Sequence, residues 1–329
     1  MAKKDKNILV TGGAGFIGSH LCEAILKRGD RVTVIDDLST GRMENISSLL
    51  GRPEFSFFEN TIMNKGLMDH LVREADEIYH LAAVVGVQNI VDNPIRTLHT
   101  IIVGTDTVFE LAHAHGEKKI FLASTSEVYG KAPNCPYAED DDRVLGSTTR
   151  NRWSYSSAKA VDEYIALAYN HQHKLPVVIG RLFNTVGPRQ TGQYGMVLPR
   201  FVKQALTGDK ITVYGDGTQS RTFSYVHDVV EAIIRLMDTP KTMGQIYNIG
   251  SEEEVTIMEL AERVKRITGS DSEIVTIAYE KAYGEGFEDM QRRLPNIEKI
   301  NKAIGFEPKT KLDDIIRAVA GWIAETGRA

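Results

Sequence analysis

Cysteine is nearly absent: two residues, Cys22 and Cys135, in a chain of 329 leave no disulfide framework and no thiolate metal spacing. Long apolar runs are missing too, so nothing reads as a bilayer span, and Met1-Ala2-Lys3-Lys4-Asp5-Lys6 has no signal-type apolar core. There is no basic tract, and 39 Lys and Arg against 44 Asp and Glu give a net charge of −5, which supplies no electrostatic reason to bind nucleic acid. His80, at the end of an apolar run, has no second ligand at useful metal spacing and is expected to be a packed strand-end histidine, and no metal is expected. Internal repeats, low-complexity tracts and Pro-rich linkers are also lacking. A globular protein remains, expected in the cytoplasm with neither membrane nor nucleic acid among its partners.

What is present begins with Ile8-Leu9-Val10-Thr11-Gly12-Gly13-Ala14-Gly15-Phe16-Ile17-Gly18, a buried-strand run that turns through glycines into a helix. Gly12 permits the tight turn, Gly15 lets backbone approach a pyrophosphate, and Gly18 lets the helix pack closely on the sheet, with Phe16 and Ile17 in its anion-facing first turn. The spacing is GxxGxxG, not the commoner GxGxxG. A second strand pattern, Arg31 to Asp36, ends in an acid placed to grip an adenosine ribose, and its carboxylate favours NAD over NADP because it repels a 2′-phosphate. The polar turn after it offers Ser39, Thr40 and Gly41 to the adenosine end, with Asn60 close to adenine. Leu81-Ala82-Ala83 closes a fourth strand with small residues past which a cofactor can run.

Strand and helix patterns alternate to residue 182, which implies an α/β doubly wound parallel sheet of Rossmann type. Beyond it the rhythm breaks into shorter elements, including brief strands near 245–248 and 273–277. The expected division is a dinucleotide-binding domain over 1–182 and a smaller substrate-binding lobe over 183–329, integrated with the first.

Tyr155 and Lys159 stand four apart at the head of a helix, on one face. An ammonium beside a phenol favours the phenolate, as does an oxidised nicotinamide, so Tyr155 becomes a candidate base for a hydroxyl proton while hydride leaves the same carbon. The turn after the fifth strand, with Thr125 and Ser126, brings hydroxyls to the substrate oxygen.

In this order the glycines, Asp36, Thr125, Tyr155 and Lys159 resemble the extended short-chain dehydrogenase/reductase family, in its nucleotide-sugar epimerase, dehydratase and decarboxylase branch. The resemblance implies that Phe183 borders the nicotinamide, Asn184 contacts the substrate diphosphate, Val213 and Tyr214 pack on the nucleotide base, and Arg221 clamps the pyrophosphate. It implies oxidation of a sugar hydroxyl at C4 by tightly bound NAD. Ser126-Glu127 replaces the Asp-Glu pair of the dehydratases and is similar to UDP-glucuronate decarboxylases, as are Asn151-Arg152-Trp153-Ser154-Tyr155 and the stretch 283–295, which places Arg293 at an active-site arginine. Thr125, Glu127, Tyr155, Lys159 and Arg293 are therefore the expected catalytic set. Val84-Val85-Gly86-Val87-Gln88 departs toward the epimerases, so a UDP-glucose or UDP-glucuronate 4-epimerase stays open, and more remotely a non-catalytic NAD-sensing protein. The helices near 94–114 and 156–172 carry more apolar surface than one sheet face needs, and family members pair them in a four-helix bundle. A homodimer is expected.

Overall fold

A computed structural model describes residues 5–83, 94–192, 196–279 and 290–328. The loop 84–88 and most of the stretch 283–295 lie outside the described residues. The first half runs β1 (Asn7–Thr11), α1 (Phe16–Lys27), β2 (Arg31–Asp36), β3 (Phe55–Glu59), α2 (Lys65–Glu74), β4 (Glu77–His80), α3 (Pro94–Ala114), β5 (Lys119–Thr125), α4 (Ser154–His173) and β6 (Val177–Leu182). The second runs β7 (Thr185–Val186), α5 (Val197–Thr207), β8 (Ile211–Tyr214), β9 (Ser220–Thr222), β10 (Ser224–Tyr225), α6 (Val226–Asp238), β11 (Gln245–Ile249), β12 (Glu254–Thr256), α7 (Ile257–Thr268), β13 (Ile274–Ile277), β14 (Arg292–Arg293), α8 (Glu298–Ile304) and α9 (Leu312–Thr326).

Seven parallel strands form the main sheet in the order β11-β6-β5-β4-β1-β2-β3. Ile8, Leu9 and Val10 are all buried although they alternate faces, because helices cover both sides of a parallel sheet. One face packs α1, α6 and α8 against Val10, Phe121 and Val178. The other packs α2, α3 and α4 against Leu9, Ile78 and Ile179. Strand order reverses at β1, whose neighbours β2 and β4 feed crossovers in opposite directions, and this leaves a crevice at the carboxyl ends of the strands.

The packing divides the chain differently from a cut at 182/183. The strand expected in the smaller lobe near 245–248 is β11, which pairs with β6 from Gln245↔Val178 to Ile249↔Leu182 and completes the sheet. Its buried Tyr247 and Ile249 join the main core, as do Val229, Ile233 and Leu236 of α6. The smaller core is built by α5, α7 and α9 around Phe201, Leu260 and Ile316. Among the described residues, no helix is long and apolar enough to cross a membrane.

Candidate active site

A cleft of about 480 Å³ runs along the carboxyl ends of β1, β2, β4, β5 and β6 and beneath the smaller core. Its floor is the glycine turn. Gly12 has φ of 74°, a left-handed conformation, and a Cβ there would stand 2.8 Å from the Ala82 nitrogen. A Cβ on Gly18 would meet the Gly13 Cα at 2.8 Å, so α1 approaches the turn more closely than a side chain allows. Gly15 caps α1 without a side-chain hydrogen bond, and the first-turn amides remain for an anion. Asp36 accepts from the Ala14 amide at 3.0 Å and the Leu38 amide at 2.9 Å. Burial pushes its carboxyl up, and those amides oppose the shift.

Phe16, Ile17, Ser39, Thr40, Asn60, Leu81, Ala82 and Ala83 line this end of the cleft, as expected of cofactor contacts. Gly41 acts differently: a Cβ there would lie 2.8 Å from Asp36 Oδ2, so its missing side chain makes room for the acid. The turn thus fits a dinucleotide, with close backbone, free amides and a buried carboxylate in one groove.

At the other end β5 delivers Thr125, the turn after it Ser126 and Glu127, α4 Tyr155, and β14 Arg293. Thr125 hydrogen-bonds the Tyr155 hydroxyl, which sets both against one point of the cleft. Burial raises the Tyr155 phenol above its ordinary range, and the charges of Glu127 and Asp162 raise it further. Here the expectation is corrected, since the Lys159 ammonium donates to Asp162 Oδ2 at 2.7 Å and does not line the cleft. A helix offers a side chain neighbours at both i−4 and i+3, and the buried carboxylate takes this one.

Two more expected positions turn away from the cleft. Phe183 is fully buried against Tyr129 and Tyr137, while Leu182 and Asn184 on either side face the cleft. Val213 is fully buried in the smaller core, and Tyr214 beside it lines the cleft. For Val213 the correction follows from the alternation of side chains along β8, whereas Phe183 stands past the end of β6, where Asn184 turns with φ of 27°.

Glu127 is gripped from two sides. Arg152 Nη1 stands 2.6 Å from its Oε2, and Arg293 pairs with its Oε1 while also reaching Asn184 Oδ1. Burial would raise the Glu127 carboxyl, yet the two guanidiniums hold it down to about 2. In the free protein it is therefore a carboxylate that accepts and cannot donate a proton. Arg221 completes the cationic wall: register places it opposite Arg293, and its Nη1 donates to the Ser220 carbonyl at 2.8 Å.

Arg152 was not among the expected site residues, although its segment carried the family resemblance. Arg200 and Tyr279 also line the cleft, with the Arg200 guanidinium 4.1 Å from the Tyr214 ring centroid. No short-range pattern marks those two, because they reach the cleft only through the packing of the smaller lobe.

Known proteins arrange their chains alike. The family described as GDP-mannose 4,6 dehydratase matches residues 9–319. UDP-N-acetyl-alpha-D-glucosaminuronate decarboxylase of Bacillus cytotoxicus is 42% identical over 97% of this chain and 98% of its own. UDP-glucuronic acid decarboxylase 1 of Xenopus tropicalis is 37% identical over 95% of this chain and 71% of its own. Among solved structures, UDP-glucuronic acid 4-epimerase of Bacillus cereus, in complex with UDP-glucuronic acid and NAD, superposes with a TM-score of 0.87 at 29% identity, covering 97% of this chain and 99% of that one.

Proposed function

The chain belongs to the extended short-chain dehydrogenase/reductases that remodel nucleotide sugars, and from that premise we propose that it is an NAD-dependent UDP-hexuronate decarboxylase. The observation that carries this reading is the Arg152–Glu127–Arg293 cluster beside Tyr155 and Thr125, a cationic grip where a sugar carboxylate would lie. The naming of two relatives as decarboxylases agrees with it.

Gly12, Gly15, Gly18 and Asp36 hold the cofactor's pyrophosphate and ribose, Arg221 and Asn184 hold the substrate diphosphate, and Tyr214 packs on the nucleotide base. NAD, when bound, would supply the hydride acceptor and donor at C4. Tyr155 takes the O4 proton, and Thr125 orients that oxygen. Once C4 is a ketone, the C6 carboxylate lies β to a carbonyl. Carbon dioxide leaves, the C5–C6 electron pair moves into an enolate, and Tyr155 and Thr125 hydrogen-bond its O4. Arg293 and Arg152 orient the carboxylate before it departs, and Glu127 keeps the two like charges together. C5 then takes a proton from solvent, and O4 recovers its own from Tyr155.

UDP-glucuronate labelled at C6, and its 2-acetamido counterpart, test the reading. Labelled gas from either is the expected result, with Arg293→Ala releasing it about a hundredfold more slowly. Epimerised uronate without gas would overturn it and leave the 4-epimerase, the second reading, which the B. cereus likeness favours.

We also propose a homodimer through α3 and α4. Ile95 and Tyr164 are 75% and 67% exposed, with Val103 and Val161 on the same two helices also exposed, which is more apolar surface than a lone subunit gains from showing. A monomer mass by light scattering at micromolar concentration would refute it.

A further inference from the structure

Behind Tyr155 runs a line of buried polar side chains that the proposed chemistry does not use. The Ala82 amide donates to Thr11 Oγ1 at 3.1 Å, and Thr11 Oγ1 lies 2.7 Å from His80 Nδ1. His80 Nε2 lies 3.0 Å from Thr105 Oγ1. The Thr105 hydroxyl faces Asp162 and steadies its charge, and Lys159 donates to Asp162 Oδ2 at 2.7 Å. Thr11, His80, Thr105, Lys159 and Asp162 are each at most 2% exposed, and they come from β1, β4, α3 and α4.

The donors in this line can be assigned. A carboxylate only accepts, so Thr105 gives Asp162 its proton and must itself accept from His80 Nε2–H. With Nε2 protonated, neutral His80 accepts at Nδ1 from Thr11, and the Thr11 oxygen is left to accept from Ala82. Every bond then points toward Asp162. Burial, and secondarily Lys159, holds the His80 imidazole down to about 3, so it stays neutral with one fixed tautomer. Asp162 Oδ1 is buried without a hydrogen-bond partner among the described residues, so the carboxylate is held by the Lys159 ammonium on Oδ2 and by the Thr105 hydroxyl that faces it.

We propose that His80 and Thr105 are positioning residues: through this one-way chain they fix the Asp162 carboxylate, and hence the place of the Lys159 ammonium behind Tyr155. The chain starts at Ala82, which lines the cofactor end of the cleft, so it also ties the floor of that groove to the lysine. A histidine that merely filled space would need no set direction. This one does, because reversing any bond leaves two donors or two acceptors face to face in a buried site.

The inference rests on the proposed chemistry at Tyr155, whose helix carries Lys159 one turn on, and the test separates the two. In the parent protein, 15N-edited NMR of the histidines should show His80 protonated at Nε2 and not titrating between about pH 6 and 9. A proton on Nδ1, or titration in that range, overturns the chain whatever the enzyme does. Thr105→Val, which keeps the shape and loses the hydroxyl, should lower kcat by about tenfold or more while KM and bound NAD stay within about twofold. Thr105→Ser should restore the rate. A valine variant as fast as the parent, or a serine variant as slow as valine, refutes the positioning role; should the valine variant fail to fold, the tautomer in the parent decides.

Discussion

Replacing Glu127 by glutamine tests the electrostatic reading of the cleft in a property separate from turnover. The substitution keeps the shape of the side chain, but where two guanidiniums now share one carboxylate an amide would present an oxygen to one and an NH2 to the other. Glu127 is depressed from 4.5 to about 2 in the folded protein. At roughly 1.4 kcal/mol per unit, its charge contributes about 3 kcal/mol to folding near neutral pH. That agrees with the cost of about 3–5 kcal/mol for breaking a buried ion pair from one side. Because the folded value lies below the unfolded one, this stability is fully present above the unfolded value and is lost as pH falls from 4.5 toward 2. Denaturant unfolding of parent and E127Q should therefore differ by about 3 kcal/mol at neutral pH, with the gap roughly halved near pH 3. A gap under about 1 kcal/mol, one that ignores pH, or a more stable E127Q would show that the arginines do not depend on this carboxylate.

Tyr155→Phe should reduce turnover by at least about a hundredfold and leave NAD bound, since only the proton carrier is removed; a rate within about tenfold of the parent would refute its role. Asp36→Ala should weaken NAD and narrow its advantage over NADP, which parallel titrations of both cofactors would show, and unchanged affinities would place the ribose elsewhere. Gly18→Ala should cost about 1–3 kcal/mol by overpacking, because its Cβ meets backbone at Gly13 that cannot turn aside, and NAD affinity should fall with it; calorimetry and cofactor titration check the pair.

Much of the site was legible because its chemistry is local. Gly12, Gly15 and Gly18 sit within one turn, and Asp36 closes the strand that follows, so spacing alone brought them together. Tyr155 and Thr125 were legible as strand-end and helix-start residues that topology carries to one sheet edge. Lys159 was half legible: its face of α4 was right, but the sequence could not say which of two reachable partners its ammonium would choose. Val213 was misplaced by one residue of strand parity and Phe183 by a turn past the end of β6, and the cores that receive them decided both. Arg152 lay inside a segment already similar to the decarboxylases, yet only the fold brings it to Glu127. The strand β11 was legible as a strand and not by address, since five apolar-rich residues read alike at the edge of either core.

The late arrival of β11 has a consequence for how the protein is made. While the ribosome has delivered only the first 182 residues, β6 is the bare rim of an unfinished sheet, and its open row of peptide groups runs beside Val177, Val178 and Ile179, which the finished protein buries completely. Such a rim is a template for pairing with another nascent chain. More than sixty further residues, Phe183 to Gly244, must emerge before Gln245–Ile249 can cap it. The half of the molecule that carries the glycine turn is thus the half that waits, and its protection from aggregation is encoded downstream of the first substrate-facing residues.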